Sequence, residues 1–474
     1  MADLSPKARA AGAAALAALL LSACSLAPAY APPQLSQPLP AAYKEAGPWT
    51  PAAPADAAPR PPWWAVFGDP TLSGLEERIE KGNPDLAAAL ARYDQSRALL
   101  SQARASLLPE VDYDGHFTRN RQSDQTKTPG SPSYFSNNVV GGEITYEFDL
   151  WGRVRNTVNS QRGQSQASAA DLAGTRLSLQ AQLASAYLSL RAMDADIAVV
   201  ADAIAAYEKA LKLTGSLYRD GATTEIDVDR ARAQLEAARS QLASDQSSRA
   251  LYEHAIASLI GEPASSFSLA ADARAFPAPP AIPVTAASDL LQRRPDVAAA
   301  ERRAYAANAQ IGVARAAFYP TISLDAAGGF ETTHGNLLSA GASYWTLGPQ
   351  ILLPLFDAGR RKAVAKQAWA QFDEASANYK SVVLAAFQQV EDGLAQCNRL
   401  ATASDAEVKA ADAATRAQTI AERQYRDGAT TYLDVVTAQT AALDAKRLVV
   451  GLNGQRLQAS VSLIRALGGG WTAG

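Results

Sequence analysis

The sequence predicts a membrane β-barrel segment joined to long all-α coiled-coil helices. Three observations carry that fold class: the chain repeats itself, its strands alternate apolar and charged residues with period two, and its helices hold a seven-residue apolar register. The chain has 474 residues, 48% hydrophobic but only 7% aromatic, with alanine above a fifth, so very large cores are not expected. Lys+Arg 44 against Asp+Glu 47 leaves a net charge of −3 and no field to attract a polyanion, which argues against nucleic acid. Cys24 and Cys397 lie far apart, so neither a disulfide framework nor a cysteine metal cluster is available.

The first element is a leader. Residues 1–23 carry basic Lys7 and Arg9, an apolar run from Ala10 to Leu21, and small residues before a cleavage point, the three parts of a secretory signal. The run is too short to span a bilayer and stay there. Leu21-Ser22-Ala23-Cys24 resembles the bacterial lipobox, which makes Cys24 the candidate lipidation site. Several acyl chains at about 0.8 kcal/mol per buried CH₂ anchor stably. Ser25 stands where an inner-membrane retention signal has aspartate, so the resemblance implies the outer membrane. Residues 24–62, rich in Pro and Ala, read as an extended lipidated tether. A second Pro-rich stretch between Glu262 and Pro283 divides the rest, giving a first repeat at 63–265, a linker at 266–288, a second repeat at 289–468 and a flexible tail at 469–474.

The two halves match residue for residue over several stretches. Asn83-Pro84-Asp85-Leu86-Ala87-Ala88-Ala89 pairs with Arg294-Pro295-Asp296-Val297-Ala298-Ala299-Ala300, and Asp149-Leu150-Trp151-Gly152-Arg153 resembles Asp357-Ala358-Gly359-Arg360. Tyr218-Arg219-Asp220-Gly221-Ala222-Thr223-Thr224 recurs unchanged at Tyr425–Thr431. Each half reads as helix, strand, strand, long helix, turn, helix. Alanine vanishes between Ala105 and Ala167 and thins between Ala317 and Ala358, and there aromatic and β-branched residues gather.

Strands are expected at about 109–119, 138–150, 320–330 and 343–355. Val111, Tyr113, Gly115 and Phe117 alternate with Glu110, Asp112, Asp114 and His116; Val140 to Leu150 alternates with Glu143, Thr145, Glu147 and Asp149. In the second half Ile322, Leu324 and Ala326 alternate with Thr321, Ser323 and Asp325. Period two fits a transmembrane barrel strand and equally a half-buried soluble sheet. In lipid, four strands cannot close, since an open edge leaves backbone groups unpaired. Copies must therefore associate, two giving eight strands or three giving twelve.

The helices follow. From Arg153 to Tyr218 there is no proline, and Leu183, Leu190, Ile197, Ile204 and Leu211 recur every seven residues, interleaved with Met193, Val200 and Tyr207. That period implies left-handed supercoiling over a length on the order of 100 Å. Phe387, Val390, Leu394, Cys397, Ala401 and Val408 continue the register in the second half, making Cys397 a seam residue. Gly221 and Gly428 suit the left-handed residue that ends a helix, and Thr223 or Thr224 and their repeats suit caps for the next.

With these residues the chain resembles the outer-membrane factor family, the TolC-like channels, and most closely its NodT-like efflux outer-membrane lipoproteins. The likeness rests on Trp63-Trp64-Ala65-Val66-Phe67-Gly68-Asp69-Pro70-Thr71-Leu72, Asn83-Pro84-Asp85-Leu86, Asp149-Leu150-Trp151-Gly152-Arg153, Arg293-Arg294-Pro295-Asp296-Val297-Ala298-Ala299-Ala300-Glu301, Gln389-Val390-Glu391-Asp392 and the two tip repeats. It implies a homotrimer, with four strands per chain in a twelve-stranded barrel continued by a twelve-helix α-barrel through the periplasm. It also implies passive efflux of small molecules, with a periplasmic adaptor protein and an inner-membrane RND-type transporter as partners. Tip residues Tyr218, Gly221, Ala222, Thr223, Tyr425, Gly428, Ala429 and Thr430 correspond to adaptor contacts in such channels. By the same resemblance Asp434 is the acidic constriction, and Asp227 with Tyr425 forms an inter-helix latch. Two departures weaken that closure: Thr437 replaces a second aspartate, and Thr430 replaces an arginine.

On the barrel's inner face Glu110, Asp112, Asp114, Glu143, Glu147, Asp149 and Asp325 are expected in the lumen, giving a mild cation preference. No hydrolase, zinc-protease, phosphate-loop or dinucleotide motif is present, and His116, His254 and His334 are scattered, so neither an enzyme nor a cofactor beyond the lipid on Cys24 is expected. A structural or adaptor lipoprotein shares the anchor and long hairpin but has one hairpin, not two. A conduit for secreted polypeptides shares the whole architecture and is the nearest competing function.

Overall fold

A computed structural model describes residues 25–35, 42–45, 62–273, 279–280, 293–333 and 335–469. Cys24, the leader, most of the tether, much of the linker, His334 and residues 470–474 lie outside the described residues. The first repeat supplies helices α1 (Pro70–Gly82) and α2 (Pro84–Ala105), strands β1 (Glu110–Arg121) and β2 (Tyr134–Glu147), and helices α3 (Arg153–Arg219) and α4 (Glu225–Leu259). The second supplies α5 (Pro295–Ala316), β3 (Thr321–Thr332), β4 (Ser343–Leu352), α6 (Arg360–Arg426) and α7 (Tyr432–Ala466). Lengths repeat: α3 and α6 have 67 residues each, α4 and α7 have 35.

The duplication extends to single atoms. Asn83 Nδ2 donates to the Leu259 carbonyl at 2.7 Å, at the end of α4, while its Oδ1 accepts from the Leu86 amide at 2.9 Å. Its counterpart Arg294 donates from Nη1 to the Ala466 carbonyl at 3.0 Å, at the end of α7. Thus the matched Asn-Pro-Asp and Arg-Pro-Asp motifs each tie the first helix of a repeat to the last carbonyl of its return helix, a group no intrahelical donor reaches. Gly261 and Gly468 follow those helix ends with φ of 77° and 90°, and a Cβ on either would run into the backbone of Gly82 or Arg293.

The chain divides into two compact units. One gathers the described residues of 1–34, 92–169 and 299–380 and contains the sheet. Its four strands run in the order β1-β2-β3-β4, all antiparallel, so the two hairpins join through β2 and β3. β2 ends at Glu147, short of the expected 150, because Asp149 turns to cap α3: it accepts from the amides of Val154 and Arg155 at 3.0 and 2.8 Å and from Arg155 Nε at 3.0 Å. Asp357 does the same for α6, accepting from the amides of Gly359 and Arg361 and from Arg361 Nε at 2.7 Å. β4 stops at Leu352, ahead of Pro354, which has no ladder donor. Trp151 stacks on Tyr319 at 4.7 Å and donates to the Pro320 carbonyl at 2.8 Å, joining the two strand-to-helix corners.

The described part of the expected tether is docked. Ser25 Oγ donates to Asn156 at 3.0 Å, Asn308 donates to the Pro28 carbonyl at 2.9 Å, and the Tyr30 hydroxyl donates to Glu301 at 2.7 Å while its ring meets Tyr305 edge-on. These polar contacts and two aromatic rings hold a segment that proline alone would leave extended.

The other unit gathers the described residues of 35–91, 170–298 and 381–474 and is helical. Here Leu183 and Leu190 are fully buried, and the seam continues through Val200, Tyr207 and Thr214. On α6 the buried heptad series is Val383, Val390, the half-buried Cys397, Ser404 and Ala411. Val408, expected on that seam, is 42% exposed; Ser404 takes the role by donating to Asn453 at 3.1 Å. Burial pushes the Cys397 thiol up, as befits a packed, unreactive group.

Candidate functional site

The pairing register sorts every strand residue onto one of two faces. Val111 opposes Ile144, which opposes Ala326, which opposes Leu347; the row with Tyr113, Gly142, Gly328 and Trp345 lies beside it. This apolar face is open to its surroundings, with Tyr113 75% and Trp345 81% exposed. On the other face Glu110, Thr145, Asp325 and Gly348 form one row, and Asp112, Glu143, Ala327 and Thr346 the next. Asp112 and Glu143 are direct cross-strand partners, an arrangement that destabilises a sheet unless water or counter-ions screen it. Asp114 follows on the same face, 3.2 Å from His116.

Two of the seven expected lumen carboxylates behave differently. Asp149 lies beyond the strand as the cap of α3, and Glu147 is bound by Arg153 Nε at 2.8 Å, because helix α3 begins with basic residues that need a counter-charge. Glu110, Asp112, Asp114, Glu143 and Asp325 share the polar face. The alternation also places Glu331 there, opposite Val139, a residue overlooked because Gly328 and Gly329 interrupt the sequence pattern. β1 and β4 each keep one edge without a partner among the described residues.

The hairpin tips belong to the helical unit. Gly221 and Gly428 have φ of 75° and 74°; Ala222 and Ala429 close the turns by donating to the carbonyls of Leu217 and Gln424, both at 2.8 Å. Gly221, Ala222, Gly428 and Ala429 are exposed, and Thr223 and Thr430 half-buried. Thr224 and Thr431 hold the N-cap positions of α4 and α7, as expected, and Thr431 forms a capping box with Asp434. Thr223 and Thr224 donate their hydroxyls to Asp227 at 2.8 and 3.1 Å, and Thr430 and Thr431 donate to Asp434 at 2.7 and 2.6 Å. Asp434 also accepts from the Thr431 amide at 3.2 Å, the half of the capping box supplied by the acid three residues into the helix. The hydroxyls of Thr431 and Thr430 hold the Asp434 carboxyl below the usual range. Burial works against Asp227, yet its threonine hydroxyls keep it low as well.

The tips differ in one respect. Tyr432 occupies the position matched by Glu225 in the first repeat, and Tyr425 packs against it at 5.2 Å while Tyr218 stays exposed. Tyr432 is buried with Ala231 and Val435 against Leu211, and burial and the Tyr425 hydroxyl push it up to about 12. The Tyr425 hydroxyl is buried without a hydrogen-bond partner among the described residues, and Asp227 takes its bonds from Thr223, Thr224 and Arg230. No Asp227–Tyr425 bond forms within one chain. A tie of another kind lies further along the hairpins: Arg447 of α7 donates from Nε and Nη2 to Asp196 of α3 at 3.0 and 2.8 Å, and from Nη2 to Asp245 of α4 at 3.3 Å. Nothing in the sequence marks this tie, because a charge on a helix face usually meets water.

Among the described residues no helix is long and apolar enough to cross a membrane. The sequence profile of outer membrane efflux proteins matches residues 75–262 and 286–469. The chain is 34% identical over 467 residues to the antibiotic efflux pump outer membrane protein ArpC of Pseudomonas putida, covering 96% of this chain and 95% of the relative. The same figures hold for the toluene efflux pump outer membrane protein TtgC, also of Pseudomonas putida. Among solved structures, the outer-membrane channel OprN is 29% identical and superimposes with a TM-score of 0.87 over 94% of this chain and all of that one.

Proposed function

This chain belongs to the outer membrane efflux protein family, and from that premise we propose that three copies form the exit channel through which a tripartite pump passes small molecules to the cell exterior. The chain is an outer-membrane channel component with a large periplasmic helical portion. The observation that carries the trimer is the sheet: four strands, one apolar face, one acidic face and two unpaired edges. Closure in lipid needs other strands at those edges. Eight strands give an interior that side chains fill, whereas twelve leave a passage.

Cys24 carries the lipid anchor in this proposal. The tips around Gly221, Ala222, Gly428 and Ala429, small and exposed, let the helices of a periplasmic adaptor approach closely, and an inner-membrane RND-type transporter supplies the energy. Asp434 narrows the periplasmic mouth, its ionised form favoured by Thr430 and Thr431. The relatives named for antibiotic and toluene efflux favour small molecules over polypeptides as cargo. Deleting the gene should sensitise cells to several antibiotics, dyes or solvents and leave the secreted proteins unchanged. Unchanged susceptibility with one lost secreted protein would reverse the assignment of cargo.

The acidic face predicts a mild cation preference. In planar bilayers under a salt gradient the reversal potential should shift toward the cation's, and Asp112→Asn with Glu143→Gln should reduce that shift without closing the channel. An anion-selective wild-type channel would remove the polar-face carboxylates, Glu331 included, from the conduction path.

A further inference from the structure

Helix α6 begins in a way that helix physics disfavours. Its first turn has no acid and carries Arg360, Arg361 and Lys362, with Lys366 one turn on, all at the end where the helix dipole repels cations. Asp357 answers Arg361. Lys362 and Lys366 are exposed and have no ion pair or hydrogen bond among the described residues.

Their surroundings are specific. Lys362, Lys366 and Trp369 stand at i, i+4 and i+7, one stripe of the helix. Arg315 of α5 lies over the Trp369 ring at 5.3 Å, and the helices are packed there through Ile311, Ala314 and Ala368. Arg315 also donates to the Leu26 carbonyl at 3.2 Å, and Ser25, the next residue toward the anchor cysteine, is fixed to Asn156. The described chain therefore begins beside this stripe. Just before α6, Leu355 and Phe356 are 89% and 88% exposed; just after Trp369 the surface turns acidic at Asp373 and Glu374. Apolar, then cationic with tryptophan, then acidic is the order of groups met on leaving the hydrocarbon of an anionic leaflet.

We propose that Lys362, Lys366 and Arg315, with Trp369 as an apolar floor, form a binding site for the phosphate of an anionic phospholipid of the periplasmic leaflet, beside the protein's own anchor. The inference rests on the outer-membrane placement and the Cys24 anchor proposed above. The tryptophan face takes the upper acyl chain and glycerol, while the three cations take the phosphate.

The test is native mass spectrometry of the full-length protein in mild detergent, titrated with phosphatidylglycerol and, separately, with phosphatidylcholine of the same acyl chains. Phosphatidylglycerol adducts should form at several-fold lower concentration. Lys362→Gln with Lys366→Gln should weaken them by more than tenfold, at about fivefold per cation, with the oligomer mass unchanged. Lys362→Arg with Lys366→Arg should retain them. Equal affinity for the two lipids, or adducts indifferent to both lysines, overturns the site. The same spectra report whether the mature chain carries diacylglycerol. A chain without that mass but with lysine-dependent binding refutes the anchor and leaves the site standing, and a lipidated chain without headgroup preference does the opposite.

Discussion

Asp194→Ala should cost about 3–5 kcal/mol of stability and strip assembled channel from the membrane fraction, because it leaves the buried Arg191 without its counter-charge and Arg249 with Glu253 alone. Asp194 has a side chain 1% exposed; it accepts from Arg191 Nη1 at 2.9 Å, from Arg249 Nε at 2.6 Å and from the Asp272 amide at 3.1 Å. Arg191 reaches on to the Tyr187 hydroxyl at 3.1 Å and the Ala270 carbonyl at 2.9 Å, and Tyr187 donates to Asp69, the cap of α1. Arg249 binds the Leu269 carbonyl at 2.7 Å, and Glu253 accepts from the Leu269 amide. One carboxylate thus fixes α3, α4 and the chain leaving α4. Asp194→Asn keeps an acceptor and should lose less. Arg239→Ala, which breaks exposed pairs with Glu208 and Glu236, should change almost nothing. Unfolding midpoints of detergent-solubilised protein rank the three. An Asp194→Ala loss no larger than that of Arg239→Ala would show that the network contributes nothing net.

Such a network is hard to read in a sequence. Asp194 and Arg249 are 55 residues apart, Arg447 and Asp196 are 251 apart, and each looks like a solvated helix position until the helices pair. What the sequence does display is repetition and period. The alternation from Val111 to Phe117 sets the two faces of β1, and the offset between Asn83 and Arg294 marks two residues with the same task at the matching place in each repeat. Legibility fails where a local competitor wins. Asp149 keeps the alternation yet caps α3, because a helix start must satisfy its free amides. Ser404 replaces a hydrophobic seam residue because a partner, Asn453, is in reach. In the proline-rich segment near the amino terminus, Tyr30 and Tyr43 were the available signals of docking. Tyr43 is buried beside Phe387, and the adjacent amides of Lys44 and Glu45 both donate to Glu391.

Glu76→Leu should raise stability by about 3 kcal/mol at neutral pH, and the gain should grow with pH. Glu76 lies on α1 among Leu72, Leu75 and Ile79, is fully buried, and has no hydrogen-bond partner for either carboxyl oxygen among the described residues. Burial, reinforced by Glu80 one turn on, pushes its carboxyl from an ordinary 4.5 up to about 9. The folded chain therefore keeps this proton while the unfolded chain releases it above pH 4.5. Protons bound preferentially by the folded state make stability fall as pH rises, here through the window from 4.5 to about 9. At pH 7 the folded chain has carried that penalty over roughly two and a half pH units, about 3 kcal/mol at 1.36 kcal/mol per unit. Leucine removes the titration and leaves an apolar side chain among apolar neighbours; glutamine removes the charge but keeps an unpartnered amide, so its gain should be smaller. Denaturation in detergent at pH 5 and at pH 8 separates this from simple improvement of packing. Titration makes the Glu76→Leu gain small at pH 5 and large at pH 8, whereas packing alone gives the same gain at both. A variant less stable than the parent at pH 8 would mean that the Glu76 carboxyl is paired in the assembled channel, through a contact that a single chain does not contain.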